Sequence, residues 1–241
     1  KNHGVIMSET QHEKIIKAAI LPFCIMPDKS ISLVLGKTRL QKWVKSTHLH
    51  SDFGGKTDSN DCDYFYTAAR EFMEETLGQI NIVQNTYQTL DSVYKKLKNK
   101  EYFACIKTHH YSKKTHEKLT VATFLVCIPF QPDINLTFQT YRRELTICTS
   151  IATKNHPLFK WGLKQPALKL QSNNSLKIKQ CYNEIEALKY FGLKYVDYVC
   201  TNKVLYNRQL TLLHNCRKRL LKILPVLRRY QDILKKQKKK N

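Results

Sequence analysis

Residues 53–78 read FGGKTDSNDCDYFYTAAREFMEETLG, and the acidic end of that segment is the strongest constraint on what the chain can become. Glu71, Glu74 and Glu75 stand at i, i+3 and i+4. In a helix of 3.6 residues per turn, three side chains at that spacing leave from one face. Like charges so placed repel by about 0.2–0.5 kcal/mol per pair, so a helix shaped by stability alone would not gather them. A hard divalent cation against that face accounts for the pattern, because Mg²⁺ takes carboxylate and water oxygens and bridges to substrate phosphates. Arg70 precedes the first glutamate, and its planar fork holds a carboxylate in a single rotamer. Gly54 and Gly55 open the loop before the helix. With Gly78 they make up three of the seven glycines in the chain, and they let backbone approach the helix closely.

Around this segment the 241 residues read as one mixed α/β domain with extensions. A hydrophobic content of 42% excludes wholesale disorder. Ile15–Met26 and Ile31–Gly36 are apolar strands joined by the turn Pro27-Asp28-Lys29-Ser30, a hairpin pattern. A helix is expected over Tyr64–Leu77, ending near Gly78. Further strands are expected at Tyr102–Lys107, at Leu119–Phe130, which is apolar enough to be central, and at Asn183–Phe191. Arg142–Leu170, with two prolines and Trp161, reads as irregular with helical pieces. The division expected is an arm over 1–12, a domain over 13–200 and a helical extension over 201–241. In that extension Leu205, Leu212, Cys216, Leu220, Ile223 and Leu227 form an apolar stripe backed by a basic face. Pro225 should kink or split its helix, and Lys235–Lys240 reads as a frayed tail.

Charge narrows the partners. Forty-one Lys and Arg stand against nineteen Asp and Glu, a net +22. Residues 216–241 carry net +10, which leaves +12 on the rest of the chain. Such an excess points to a polyanion, and Arg217, Lys218, Arg219, Lys222, Arg228 and Arg229 are the candidate RNA contacts, through phosphates. If so, affinity should fall steeply with salt, and deleting 217–241 should flatten that slope. The longest apolar runs are too short to span a bilayer, the N-terminal residues contain no secretory core, and no stable membrane association is expected. None of the eight cysteines forms a CxxC or a finger-type pair with histidine. Cys24, Cys127 and Cys200 lie in apolar stretches and read as small buried residues in a reduced, intracellular, cytoplasmic setting.

With Gly55, Asp61 and Arg70-Glu71-Phe72-Met73-Glu74-Glu75, the segment resembles the Nudix box, Gly-x5-Glu-x7-Arg-Glu-U-x-Glu-Glu-x-Gly-U with U apolar. The RExxEE core is intact. The segment differs in having Asp61 where the pattern has Glu, in one extra residue between Asp61 and Arg70, and in one extra residue between Glu75 and Gly78. The order of hairpin, GGK loop, box helix, central strand and late acidic strand around Glu184 and Glu186 also resembles the family. The resemblance implies an α+β Nudix fold, a mixed β-sheet between α-helices, here with a basic helical C-terminal extension. It implies a Mg²⁺- or Mn²⁺-dependent pyrophosphohydrolase. Glu71, Glu74 and Glu75 would hold cations, Glu75 or Glu71 would orient or deprotonate the attacking water, Arg70 would be structural or electrostatic, and Glu184 or Glu186 would add a carboxylate from outside the box. Lys56 would touch phosphate. The Lys-rich composition and large extensions look like the Nudix decapping enzymes of large DNA viruses, so capped mRNA is the expected substrate. A cap base needs an aromatic platform; Trp43 is the candidate taken forward, with Phe53, Tyr64 and Tyr66 near it in sequence and Trp161 further away. The alternative is a small-molecule hydrolase of diphosphoinositol polyphosphates or dinucleoside polyphosphates.

Overall fold

The computed structural model describes residues 14–38, 49–83, 88–111, 118–151, 154–173, 175–202, 210–212 and 214–238. Trp43 and Leu205 lie outside these residues, as does the expected N-terminal arm.

The chain opens with β1 (Ile15–Ile25) and β2 (Ile31–Thr38). The turn between them forms because the Asp28 carboxylate accepts both the Ser30 N–H at 2.9 Å and its hydroxyl at 2.6 Å. Two short strands follow, β3 (Leu49–Ser51) and β4 (Phe53–Lys56), and then helix α1 (Tyr64–Thr76). The Asp63 carboxylate caps α1 by accepting the Tyr66 N–H at 2.9 Å. Helix α2 (Leu90–Lys98) leads into β5 (Ala104–Tyr111) and β6 (Lys118–Cys127). Helices α3 (Ile134–Ser150) and α4 (Pro157–Leu163) precede a small hairpin of β7 (Leu168–Leu170) and β8 (Leu176–Ile178). A 3₁₀ turn over Gln180–Asn183 enters β9 (Ile185–Gly192), and α5 (Leu193–Thr201), β10 (Thr211–Leu212) and α6 (His214–Lys238) complete the fold.

The main sheet runs β10-β3-β2-β1-β6-β5, with β4 also paired to β1 and β9 to β2. β1 pairs parallel with β6 and antiparallel with β2 and β4, so the sheet is mixed. Ala18, Ala19, Ile20 and Leu21 are buried without a break, as befits a strand covered on both faces. Alternation sends Ala18 and Ile20 into one core with Phe72 of α1, Val93 of α2 and Phe138 of α3. Leu21 and Phe23 enter a second core with Val196 of α5 and Leu220, Ile223 and Leu227 of α6. The architecture is α+β, a sheet between two helical layers, as the resemblance implies.

Several expectations are corrected. Ile134–Ser150 is one continuous helix, and the stretch read as irregular ends in a short strand, β7, whose partner β8 lies just beyond it. The stripe of α3 is Ile134, Phe138, Leu145 and Cys148, so it starts eight residues before that stretch. Leu212 lies in a strand, not in the C-terminal helix. Helix α6 is not split at Pro225 but runs through it as a single element; Cys216, Leu220, Ile223 and Leu224 before the proline and Leu227 after it are all buried in the second core, which anchors both halves. Cys24 and Cys200 are buried, but Cys127, at the last position of β6, is exposed. Among the described residues no helix is long and apolar enough to cross a membrane.

Candidate active site

The two glycines of the box loop have different neighbours. β4 runs antiparallel to β1 with Ala19 opposite Gly54 and Ala18 opposite Gly55. A Cβ at Gly54 would overlap the β1 backbone and the Ala19 methyl, whereas a Cβ at Gly55 would overlap the Glu71 carboxylate. Glycine therefore lets β4 lie between β1 and the acidic face of α1. The Gly54 N–H donates to Glu75 Oε2 at 2.7 Å, which fixes that carboxylate in one rotamer.

Arg70 ties the cluster together. Its Nε and Nη2 donate to the two oxygens of Asp61 at 2.9 and 3.0 Å, its Nη1 to Glu71 Oε1 at 3.0 Å and Glu74 Oε2 at 3.2 Å, and its Nη2 also to the Lys56 carbonyl at 3.2 Å. Asp61 accepts the Thr67 hydroxyl at 2.8 Å and the Asp58 N–H at 2.9 Å. One methylene shorter than glutamate and one residue further from Arg70, it still meets the guanidinium with both oxygens. Burial works to raise the Asp61 pKa, but the Arg70 hydrogen bonds and charge, the Asp58 N–H and the Thr67 hydroxyl together outweigh it, and the carboxyl titrates below its usual range. The extra residue after Glu75 is absorbed where α1 ends: Leu77 (φ 54°) and Gly78 (φ 67°) are both left-handed, and the Gly78 N–H reaches back to the Met73 carbonyl at 3.1 Å.

Glu184 joins the box glutamates from outside. It is in right-handed helical backbone at the end of the 3₁₀ turn, before β9 begins. Strand alternation therefore does not pair it with Glu186, which forms an ion pair with Lys37 instead. Burial and the field of Glu71 raise the Glu184 pKa. Burial, then Glu71 and Glu184, push Glu75 well above the carboxylate range, and Glu74 is raised chiefly by burial. Lys17 opposes this, lowering both Glu75 and Glu184. Its signal in the sequence was that of a single charge inside the apolar strand IIKAAILPFCI.

These side chains suit a hard divalent cation in donor type and charge. Four carboxylates press on one another, one guanidinium is shared among Asp61, Glu71 and Glu74, and a 2+ charge would relieve the repulsion that adds to burial in raising three of them. Among the described residues, however, no three potential ligands are gathered as a metal-holding group. The fit is one of chemistry, not of an assembled coordination shell.

The other expected contacts divide. Lys56 is exposed at the end of β4. Arg219 is buried: its Nε donates to Asp52 Oδ2 at 2.8 Å, and its Nη2 bonds Oδ1. Arg217 donates twice to the Cys200 carbonyl, at 3.0 and 2.6 Å, and so ties α6 to α5. These two arginines serve the fold. Lys218, Lys222 and Arg229 are exposed, and Arg228 is half exposed beside Asp197 at 3.4 Å. On the outer flank of α1 a cavity of about 830 Å³ is lined by Arg70, Met73 and Glu74 on one side and by Tyr141, Trp161 and Tyr182 on the other. Tyr182, missed in the sequence, sits close enough to Glu74 that burial and that carboxylate push its phenol up to about 12.

No family model matches the chain, and no curated protein matches it. Among solved structures it is similar to the Ap4A hydrolase of C. elegans in a binary complex, at 12% identity over 89% of this chain and 98% of that one, with a TM-score of 0.40. It is similar to a Nudix hydrolase from M. smegmatis, at 11% identity over 89% and 86%, with a TM-score of 0.44. The NUDIX domain of Shewanella oneidensis NrtR, solved with ADP ribose, gives 10% identity over 90% and 88%, with a TM-score of 0.40. With scores below 0.5, none of these likenesses bears on what the chain does.

Proposed function

We propose that the chain is a Nudix-type pyrophosphohydrolase that removes the cap of mRNA. The observation that carries this reading is that Glu75 and Glu71 stand against the glycine pair of β4, with Arg70 holding Glu71 and Glu74 and with Glu184 near enough to act on Glu75. A surface helix with accidental glutamate spacing needs neither a glycine pressed against one of its carboxylates nor a buried glutamate held by backbone.

Glu71, Glu74, Glu75 and Glu184 would hold Mg²⁺ or Mn²⁺, which when bound neutralises bridging phosphates and lowers the pKa of water. The protein's own side chains do the rest. Arg70, pinned by Asp61, keeps the first two box glutamates in place through both ground and transition states. Glu75 or Glu71 takes the proton of the attacking water. The water oxygen bonds to one phosphorus, the bridging P–O bond breaks, and the products are a nucleoside diphosphate cap and 5′-monophosphate RNA. Lys17 and Lys56, opposite one another on β1 and β4, supply positive charge at the phosphate side.

A long RNA suits the surface of α6. At 100° per residue Lys218, Lys222, Arg229 and Lys236 fall within about 40° of one another, opposite the buried stripe, and all four are exposed. They form a ridge of about 27 Å at 1.5 Å per residue, a feature that a small substrate does not need.

The test is release of label from RNA carrying a labelled cap phosphate, with Mg²⁺ or Mn²⁺, beside Glu75→Gln. Nucleoside diphosphate released by the wild type and not by the variant supports both the reaction and the site. No release by the folded wild type overturns decapping, and near-normal release by Glu75→Gln overturns the site.

A further inference from the structure

The cavity beside α1 differs in character from the surface around it. Although the chain carries net +22, the sole cation among the described residues lining this space is Arg70. That guanidinium is already committed to Asp61, Glu71, Glu74 and the Lys56 carbonyl. Apart from the Glu74 carboxylate and the Thr89 hydroxyl, the rest of the wall is aromatic, aliphatic or amide. A cyclitol crowded with phosphates would need several free cations in such a pocket and meets one spoken-for arginine and a carboxylate. A flat, uncharged or weakly charged ring meets Trp161, with Tyr141 set edge-on to it at 6.0 Å and 75°, and the side-chain amides of Gln79 and Asn81 on the same wall.

The wall is also preorganised. Tyr141 donates its hydroxyl to Gln165 Oε1 at 2.7 Å. Gln88 accepts the Ile82 N–H at 2.7 Å and donates to the Ile80 carbonyl at 2.8 Å. Glu74 lines the cavity and belongs to the carboxylate cluster, so the two spaces adjoin. The volume of about 830 Å³ lies within the range of roughly 300–1,000 Å³ for small-molecule sites.

We infer that this cavity receives the heterocyclic base of the substrate, stacked on Trp161, while the attached phosphates lead past Glu74 to the carboxylate cluster. The inference rests on the pyrophosphohydrolase reading and specifies it: the group recognised is a nucleoside, and Trp161, not Trp43, is the platform assigned to it.

Calorimetric titration of the full chain with GDP and with inositol hexakisphosphate tests this, using Trp161→Phe and Trp161→Leu, with melting curves to establish that both are folded. The expected result is GDP binding by the wild type, retained within about threefold in Trp161→Phe. In Trp161→Leu it should weaken roughly 5- to 150-fold, the range that stacking on one ring supplies. Inositol hexakisphosphate, if bound to the basic surface, should be unaffected by either change. With capped RNA, Trp161→Leu should raise KM and leave kcat near wild type. Absence of GDP binding, or equal GDP affinity in the Leu and Phe variants, overturns the inference. The two readings fail separately: selective loss of GDP binding in a protein that releases no cap upholds the base site and rejects decapping. Cap release with an unchanged KM in Trp161→Leu does the reverse.

Discussion

Arg219 and Asp52, 167 residues apart in the chain, form a buried two-pronged ion pair two residues before the N–H that holds Glu75. Through this contact α6 braces the corner between β3 and β4. The C-terminal helix is therefore fastened to the loop that presents Gly54 and Gly55, in addition to covering one face of the sheet.

Removing one partner leaves the other charged in a dry place. Arg219→Ala should destabilise the protein by about 3–5 kcal/mol, while the double change Asp52→Leu with Arg219→Met should recover most of that loss. Burial acts to raise the Asp52 pKa, but Arg219 outweighs it and the carboxyl titrates below its usual range. The pair's contribution is thus complete above the unfolded value of about 3.9 and is lost as pH falls through the lower folded value. Urea midpoints followed by circular dichroism should show the wild type losing ground to the double variant only below about pH 4. A constant difference down to pH 2 would contradict the assignment.

The two box glycines should fail in different ways. Gly54→Ala puts a methyl into β1 backbone, which has little room to give. A loss of about 1–3 kcal/mol or more is expected, together with loss of activity. Gly55→Ala meets the end of the Glu71 side chain instead, which can swing away. It should melt near the wild type and turn over at least tenfold more slowly, because a displaced carboxylate no longer stands where the chemistry needs it. Equal melting losses in both variants would show that Gly55 is structural.

What the sequence revealed and concealed follows the range of the interactions. The β1–β2 hairpin and α1 are legible because apolar runs, an Asp-containing turn and a glycine stop are local. Nine-residue α2, with Val93 and Leu97 as its buried anchors, carries too little pattern to stand out. Arg219 is instructive. It lies three residues after Cys216 and four before Ile223, beside the buried stripe, while Lys218, Lys222, Arg229 and Lys236 lie opposite. Helical angle alone separates it from the outward-facing set, yet a buried arginine is credible only with a partner, and no local rule points to Asp52. Glu184 is suggested by its place beside the late acidic strand, but it stands in helical backbone before that strand begins, so no strand rule fixes its direction.

Glu75 is held where its charge is disfavoured by burial, Glu71 and Glu184. Sites of this kind trade stability for function. Glu75→Gln should therefore raise the melting temperature of metal-free protein by about 2–4 °C, the change that about 1 kcal/mol produces in a chain of this length. Mg²⁺ or Mn²⁺ should raise the wild-type melting temperature by mass action and raise that of Glu75→Gln much less. A variant that melts lower than the wild type without metal, or gains as much from metal, would mean that Glu75 is a structural carboxylate.

The basic ridge of α6 must be tested by charge, not by truncation. Deleting 217–241 would remove Leu220, Ile223, Leu224 and Leu227 from the second core and Arg219 from Asp52, so a flattened salt slope in such a variant would report unfolding. Glutamine at Lys218, Lys222, Arg229 and Lys236 leaves the buried stripe intact. Each phosphate contact adds about 0.7 to the slope of log K against log salt for a single strand. If all four residues touch RNA, the quadruple variant should lose about 3 from that slope and melt within about 1 kcal/mol of the wild type. It should also keep its kcat on a short capped oligonucleotide that does not reach the ridge. An unchanged slope on long RNA would remove α6 from the RNA path and leave its outer charge to solvent.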